Sequence, residues 1–524
     1  MDALTSSSSE RRWYNTLELI PLVILQNLAY GFTTASVVKF LYLIECGTFS
    51  PSDPGGVPGS VCHEPSALAA IKQDAFLCVG VTTVSAIVVS GVYSHRLNGG
   101  ERKKAMGVAA STQLLGSLWG LFLLFFQSFR NIPCVLLMVL SQGLGGGEIV
   151  LSAANIVLAV DASKTSWRSS SLAVILVAQT LPIWFATVTG FEPGKSLLIA
   201  QACWIIYLSY LALFIREAPH PTDTPITPSA DRMESDSEAE NLEPRVRSQT
   251  HQSLSKATVE PIKLFFREGN SSLVWIGVVT FVVPMAEHFC WRYGITSSVA
   301  YHLPFGYNII FLFYSAIAKE GSLLFLLPIS VVLYRHYNSR CADDDVSTPG
   351  EHVAPNPPTE RTPLLAEAGL PPSQEAIVNP ESSPSERPES LSASQDLFIA
   401  RSSFFLIILG SFIMFLSKSW DVLFDGFLLF SLGAPFRPCI QSLASQVTDP
   451  SQLGRVITML VAIESLGSVL LSPHYLPLVF QKYYEAVPPP ANGIVIAYIC
   501  TFVICGGIVS LLGPARFIRA HTLN

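Results

Sequence analysis

Along this chain, long apolar runs alternate with short polar breaks. A run of about 18 or more mostly apolar residues is long enough to cross a bilayer as a helix. Twelve such runs lie near 17–44, 67–94, 105–127, 133–159, 169–190, 196–215, 272–289, 303–334, 398–417, 421–446, 454–477 and 492–513. The pattern predicts an all-α polytopic membrane protein of about twelve transmembrane helices. The seventh and eighth runs are the least regular. VVPMAEHFCWRYG carries Glu287, His288 and Arg292, and SAIAKEGSLL carries adjacent Lys319 and Glu320. One of these ends is expected to be an interfacial or broken helix.

Two polar tracts interrupt the runs. Residues 217–268 separate six runs from six, and residues about 337–397 separate the eighth from the ninth. Both are rich in Pro, Ser and acids and too poor in apolar side chains to offset the entropy of ordering. They are expected to be disordered and cytoplasmic. The resulting plan is an arm at 1–16, a six-helix bundle at 17–216, the linker at 217–268, a second bundle at 269–514 and a tail at 515–524.

Composition excludes a soluble chain. Half the residues are hydrophobic, 14% are charged and the mean hydropathy is +0.43, whereas soluble domains carry roughly 25% charged residues. The net charge of −7 comes mostly from the polar tracts, so no nucleic-acid partner is expected. The N-terminus, MDALTSSSSERRWYN, has no short apolar core followed by a cleavage site. Lys and Arg gather in the arm, in HRLNGGERKK, in DASKTSWR, in both tracts and in the tail. The opposite connectors hold Arg130, Lys195, Arg292, Lys418 and Lys482. This asymmetry places both termini in the cytoplasm.

A shift of 288 residues lays the fourth run over the tenth. GLGGGEIVLSAANIVLAVDASKTSWR then matches SLGAPFRPCIQSLASQVTDPSQLGR, with Gly145 on Gly433 and Asp161 on Asp449. Arg168 and Arg455 follow the aspartates seven and six positions later. Glycine, aspartate and arginine in common order point to an internal duplication. Glycine-rich helices let backbones approach closely. A carboxylate facing lipid would cost roughly 2.5–3.5 kcal/mol or more. Glu148, Ser152 and Asn155 fall three and four apart on one helical face, so Glu148 is expected to face the protein interior.

Three stretches carry a family resemblance. SGVYSHRLNGGERKK, between the second and third runs, matches a Gly-x-x-x-Asp-Arg-x-Gly-Arg-Lys loop through Gly91, Arg96, Arg102 and Lys103. SQGLGGG matches an Arg-x-x-Gln-Gly-x-Gly pattern through Gln142, Gly143 and Gly145. The eleventh run contributes Glu464, Gly467 and Pro473. In these the chain resembles transporters of the major facilitator superfamily, in the style of its divergent fungal members. The resemblance implies two pseudo-symmetric six-helix bundles and a small solute carried by alternating access. It also implies a cytoplasmic gating loop built on Gly91, His95, Arg96, Arg102 and Lys103; plain charge anchoring at the cytoplasmic face is the alternative. There are departures. His95 stands where the loop aspartate belongs, and Val139 stands where the span-four arginine belongs. VAQTLPIWFATV keeps only Pro182 of the antiporter pattern. The family's usual proton-coupling scheme therefore does not carry over intact.

Interior polar residues are the candidate site. Glu464, midway along the eleventh run with Ser468 and Ser472 on its face, is a proton-titrating or cation-pairing carboxylate, or a hydrogen-bonded structural acid. Arg437, between Pro435 and Pro438, is an anion anchor or a structural partner of Glu464 or Glu148. Asn27, Tyr30, Asn155 and Gln179 line the same route or bond between helices. Lys39 reads as a snorkelling residue near the far interface.

The ten cysteines are scattered with no C-x-x-C pattern, so neither a metal nor a cofactor is expected. Cys46 and Cys62 flank a Pro/Gly loop on the non-cytoplasmic side. A disulfide there would be worth on the order of 3 kcal/mol in the chain-entropy model. In ERTPLL, Glu360 precedes Leu364 and Leu365 by four residues. It resembles an acidic dileucine sorting signal read by an adaptor, which favours the vacuolar membrane over the plasma membrane.

The reading is a monomeric secondary transporter in a lipid bilayer, with proton coupling and uniport both open. One alternative is a transporter-like solute sensor without flux. The other, an intramembrane lipid-modifying enzyme, lacks any catalytic cluster at an interface.

Overall fold

In hydrocarbon a backbone must satisfy its own hydrogen bonds, which turns long apolar runs into helices. The computed structural model describes residues 2–46, 65–98, 101–189, 191–215, 262–263, 265–266, 271–300, 305–346, 387–470 and 492–512. The first half holds α1 (Asp2–Cys46), α2 (Pro65–Asn98), α3 (Arg102–Phe125), α4 (Ile132–Leu144), α5 (Gly147–Ala162), α6 (Arg168–Val188) and α7 (Pro193–Phe214). The second half holds α8 (Ser271–Ala300), α9 (Phe305–Gly321), α10 (Leu327–Val346), α11 (Arg387–Leu416) and α12 (Trp420–Leu432). It continues with α13 (Phe436–Val447), α14 (Leu453–Leu470) and α15 (Asn492–Leu511). Among the described residues there is no strand.

Among the described residues, ten stretches are long and apolar enough to cross a membrane, with α4–α5 and α12–α13 each counting as one. Two shorter apolar helices, Ser271–Pro284 and Ile499–Leu511, stand at the seventh and twelfth runs. Every apolar run thus has its helix. Large apolar side chains such as Leu115, Phe185, Ile206 and Phe405 are exposed on the outside, a surface suited to lipid rather than water. The chain is a multi-pass membrane protein.

The fourth and tenth spans break at matched glycines. α4 ends at Gly145 (φ −83°, ψ 6°) and α12 at Gly433 (φ −76°, ψ −2°). After Gly145 the turn runs through Gly146 at φ 80°, the left-handed region where glycine is favoured. Ala434 and Pro435 make the corresponding turn in the second half. Each break presses on a matched neighbour. A Cβ on Gly145 would lie 3.0 Å from Ala109 Cα of α3, and one on Gly433 would lie 2.8 Å from Ser403 O of α11. Single 3₁₀ turns, Thr165–Trp167 and Pro450–Gln452, then lead into α6 and α14. The duplication seen in the sequence is therefore also a duplication of helix, break, helix, turn, helix.

The eighth span carries the irregularity expected of it or its neighbour. A π-helical turn, Ser322–Leu326, joins α9 to α10 immediately after Lys319 and Glu320. Helix also takes over both edges of the tract expected at 337–397, since α10 reaches Val346 and α11 starts at Arg387. The physical reason at the second edge is docking, because Ser392, Gln395 and Asp396 are buried. The arm expected at 1–16 is likewise continuous with α1. Residues 216–261 and 347–386 lie outside the described residues.

One end of the bundle carries the basic connectors α2–α3, α5–α6 and α13–α14, and is called here the basic end. The two halves meet where α14 packs on α2 and α5, and where α6 packs on α10 and α13.

Candidate functional site

The matched breaks set two opposite charges at equivalent places. Glu148 lies three residues after Gly145 in the first turn of α5, where the helix dipole favours a carboxylate. Arg437 lies four residues after Gly433 in the first turn of α13. Its guanidinium is ion-paired with Glu464 of α14. The two side chains keep 28% and 13% of their surface exposed, so the pair borders open space rather than sealed core. The Tyr30 hydroxyl on α1 donates to the Glu148 carboxylate.

Glu320, which sequence reasoning left as an ambiguous helix end, belongs to the same group. Thr180 Oγ1 of α6 donates to Glu320 Oε1 at 2.5 Å, a bond between the two halves. Glu320 is 4% exposed, and its Oε2 has no hydrogen-bond partner. Arg437 acts electrostatically on both Glu148 and Glu320. Beside them, Lys319 Nζ lies 3.8 Å from Glu287 Oε2 of α8. The signal that could have found this group was in view. A Lys-Glu pair inside an apolar run is expensive in lipid and belongs in the interior.

The remaining interior candidates do other work. Asn155 Nδ2 donates to Gln26 Oε1 at 2.7 Å, tying α5 to α1. Asn27 Nδ2 donates to Val23 O at 2.8 Å within α1. The Gln179 Nε2 group is buried without a partner, next in sequence to Thr180. Ser468 donates to the backbone oxygen of Glu464. Gly467 lets α14 approach α8, since a Cβ there would lie 3.1 Å from Phe281 C. Lys39 donates to Phe191 O at the end opposite the basic one.

The loop expected to latch the basic end binds its own half. Arg102 pairs with Asp161 at the end of α5 and donates to Leu97 O at 2.8 Å. Lys103 donates to Ala212 O of α7 at 2.8 Å. Glu101 takes Lys104 at 3.0 Å and Arg96 at 3.9 Å. The Lys104 hydrogen bond, then the charges of Lys104, Arg96 and His95, hold the Glu101 carboxyl below its ordinary value. Gly91 is buried at this end of α2 and His95 is exposed.

The tie between halves at this end comes instead from residues that sequence reasoning missed. Ser392 donates to Thr165 O at 2.9 Å, and Arg168 Nη1 donates to Ser445 Oγ at 3.0 Å. Arg335 of α10 donates to Ser166 O, sits 4.7 Å over the Trp167 ring and donates to Gln395 Oε1 at 3.0 Å. At the centre, Asp396 is 1% exposed and accepts from Ser442 at 2.6 Å and from Gln446 at 2.9 Å, with Arg168 of the other half acting on it electrostatically.

Cys62 and the candidate sorting residues Glu360, Leu364 and Leu365 lie outside the described residues, as do Ser472 and Pro473; of the Cys46 side chain nothing is described. Among the described residues no group of three His, Cys, Asp or Glu is placed to hold a metal ion.

No protein-family model matches the sequence, and no curated protein sequence matches it either. Solved structures do match in shape. The human organic anion transporter MFSD10 gives a TM-score of 0.58 at 12% identity, covering 94% of this chain and 99% of that one. A bacterial homologue of the iron transporter ferroportin, in an outward-facing state, gives 0.57 at 10% identity, covering 97% and 99%. The proton:xylose symporter XylE of the major facilitator superfamily gives 0.54 at 10% identity, covering 96% of each chain. At such identities these likenesses speak for the fold.

Proposed function

We propose that this chain, which has the major facilitator fold, is a secondary transporter that moves a small solute by alternating access. The observation that carries the reading is the charge group at the joint between the halves. Glu148, Glu320, Arg437 and Glu464 come from four helices of both halves: Arg437 pairs with Glu464 and acts electrostatically on Glu148 and Glu320, and Glu320 bonds to Thr180 of α6. Rocking the halves would expose this group first to one side and then to the other. The basic end is cytoplasmic by its lysines and arginines, and the contacts around Asp396 close that end. Protons couple to transport through the interior carboxylates, each of which can carry a proton between the two sides. The monomer suffices, because both halves of the site lie in one chain. The vacuolar membrane is the proposed location, on the Glu360–Leu365 signal.

The test is uptake by the purified full chain in proteoliposomes, with and without an imposed pH gradient. Flux identifies a transporter, whereas binding without flux identifies a sensor and ends the reading. Glu464→Gln keeps the shape of the side chain and removes its charge. It is expected to abolish gradient-driven accumulation; unaltered accumulation removes Glu464 from coupling.

A further inference from the structure

The described charges of the central group do not balance. Arg437 answers Glu464, and Lys319 answers Glu287. Glu148 and Glu320 are left with neutral donors, the hydroxyls of Tyr30 and Thr180. Arg437 acts on both and Lys319 acts on Glu320, but the ion pairs these cations form are with Glu464 and Glu287. Glu320 also has an oxygen, Oε2, that is shielded from solvent and bonded to nothing. A buried carboxylate without a counter-charge is not tolerated as such. It takes up a proton or it takes up a cation.

We propose that the transported solute is an organic cation, which binds at Glu148 and Glu320 in place of the protons those carboxylates hold when the site is empty. The inference rests on the transport reading and names its substrate class. An anionic solute would bring further negative charge to a group already short of cations. A neutral one would leave both carboxylates as they were. A bare metal ion is disfavoured because no three ligating side chains converge among the described residues. An ammonium group needs no such shell, since its N–H donors can meet the two carboxylates one at a time. Each carboxylic acid gives its O–H proton to the water on the side then open, and the resulting carboxylate pairs with a positive charge on the solute. One proton leaves for each positive charge the solute brings, two for a dication and one for a monocation, so the cycle exchanges cation for proton.

Among the described residues, the titratable or charged groups around this pair are few. From the elements packed on α5 and on the eighth span, Tyr30, Glu287, Lys319, Arg437 and Glu464 face the group. Asp421 and Asp425 of α12 are exposed.

The experiment uses the purified full chain in detergent, in weakly buffered solution with a pH indicator. Ethanolamine, putrescine, glucose and glutamate are added in turn, with binding followed by tryptophan fluorescence. Ethanolamine is expected to bind with release of one proton and putrescine with release of two, the affinity rising about tenfold per pH unit for each proton released. Glu148→Gln and Glu320→Gln are each expected to remove one proton from the putrescine response and weaken cation binding. Should either amide variant fail to fold, the aspartate variant serves, because it keeps the charge and moves it. Binding of glucose or glutamate alone, cation binding without proton release, or no response to either cation overturns the proposal. Because this readout needs no flux, cation binding with proton release but no vesicle uptake would refute transport and leave the binding site standing.

Discussion

At the level of single side chains, Arg437 influences three carboxylates but is ion-paired with one. Removing one partner of a sealed ion pair costs about 3–5 kcal/mol, because the other charge is left unanswered. Arg437 keeps 28% of its side chain exposed, so Glu464→Gln should cost less than that. The double variant Arg437→Gln/Glu464→Gln should recover stability relative to Glu464→Gln, since two amides need no counter-ion. Thermal unfolding midpoints of the two variants and the parent, in one detergent, decide this. A double variant less stable than Glu464→Gln would mean that the pair does not act as a unit. Glu148, Arg437 and Glu464 were legible because a lone charge inside an apolar run has few harmless explanations. Glu320 was not, because Lys319 beside it made the stretch resemble the polar end of a span. Its proximity to Thr180, 140 positions away, is tertiary information that no local pattern holds.

Among the elements, α11 crosses α12 with backbone close against backbone. A Cβ on Gly410 would lie 2.6 Å from Gly426 O, and one on Gly426 would lie 2.7 Å from Met414 N. Backbone cannot yield as a flexible side chain does, so Gly410→Val should destabilise the protein by about 1–3 kcal/mol through overpacking. Gly507→Ala on α15, where nothing lies within 4 Å, is the control and should leave the midpoint unmoved or slightly raised. Equal losses at both positions would mean that the close crossing is not the cause, since both substitutions improve helix propensity. The helices themselves were readable from hydropathy; the shifted alignment matched Gly145 with Gly433 but read them as sites of close approach, and the breaks there were not foreseen. The π-turn at Ser322–Leu326 was not, because SLLFL is an ordinary apolar helical sequence. Nor was the start of α11. SLSASQDLF reads as loop by composition, and it docks through Ser392, Gln395 and Asp396 as well as through buried Ala393 and Leu397.

For the molecule as a whole, alternating access requires a closed end that can open. The ties at the basic end have the right strength for that. They are a handful of hydrogen bonds, each worth about 0.5–1.5 kcal/mol net, around one buried carboxylate. A total of a few kcal/mol holds one state without trapping it, and a ligand of modest differential affinity can tip such a balance. Asp396 is the acceptor on which Ser442 and Gln446 converge, beside Arg168 of the other half. Asp396→Asn keeps the volume but removes the charge and one acceptor oxygen, and should weaken the closure. Cys439 is a native reporter, fully buried on α13 within electrostatic reach of Asp396. Its maleimide labelling, followed by peptide mass spectrometry, should quicken several-fold in the variant. Cys203 of α7, buried within the first half, should label at the parent rate. If both thiols quicken together, the substitution has loosened the fold. If neither does, Asp396 does not hold the basic end shut, and the closure must rest on Arg335 and its contacts with Ser166 and Trp167.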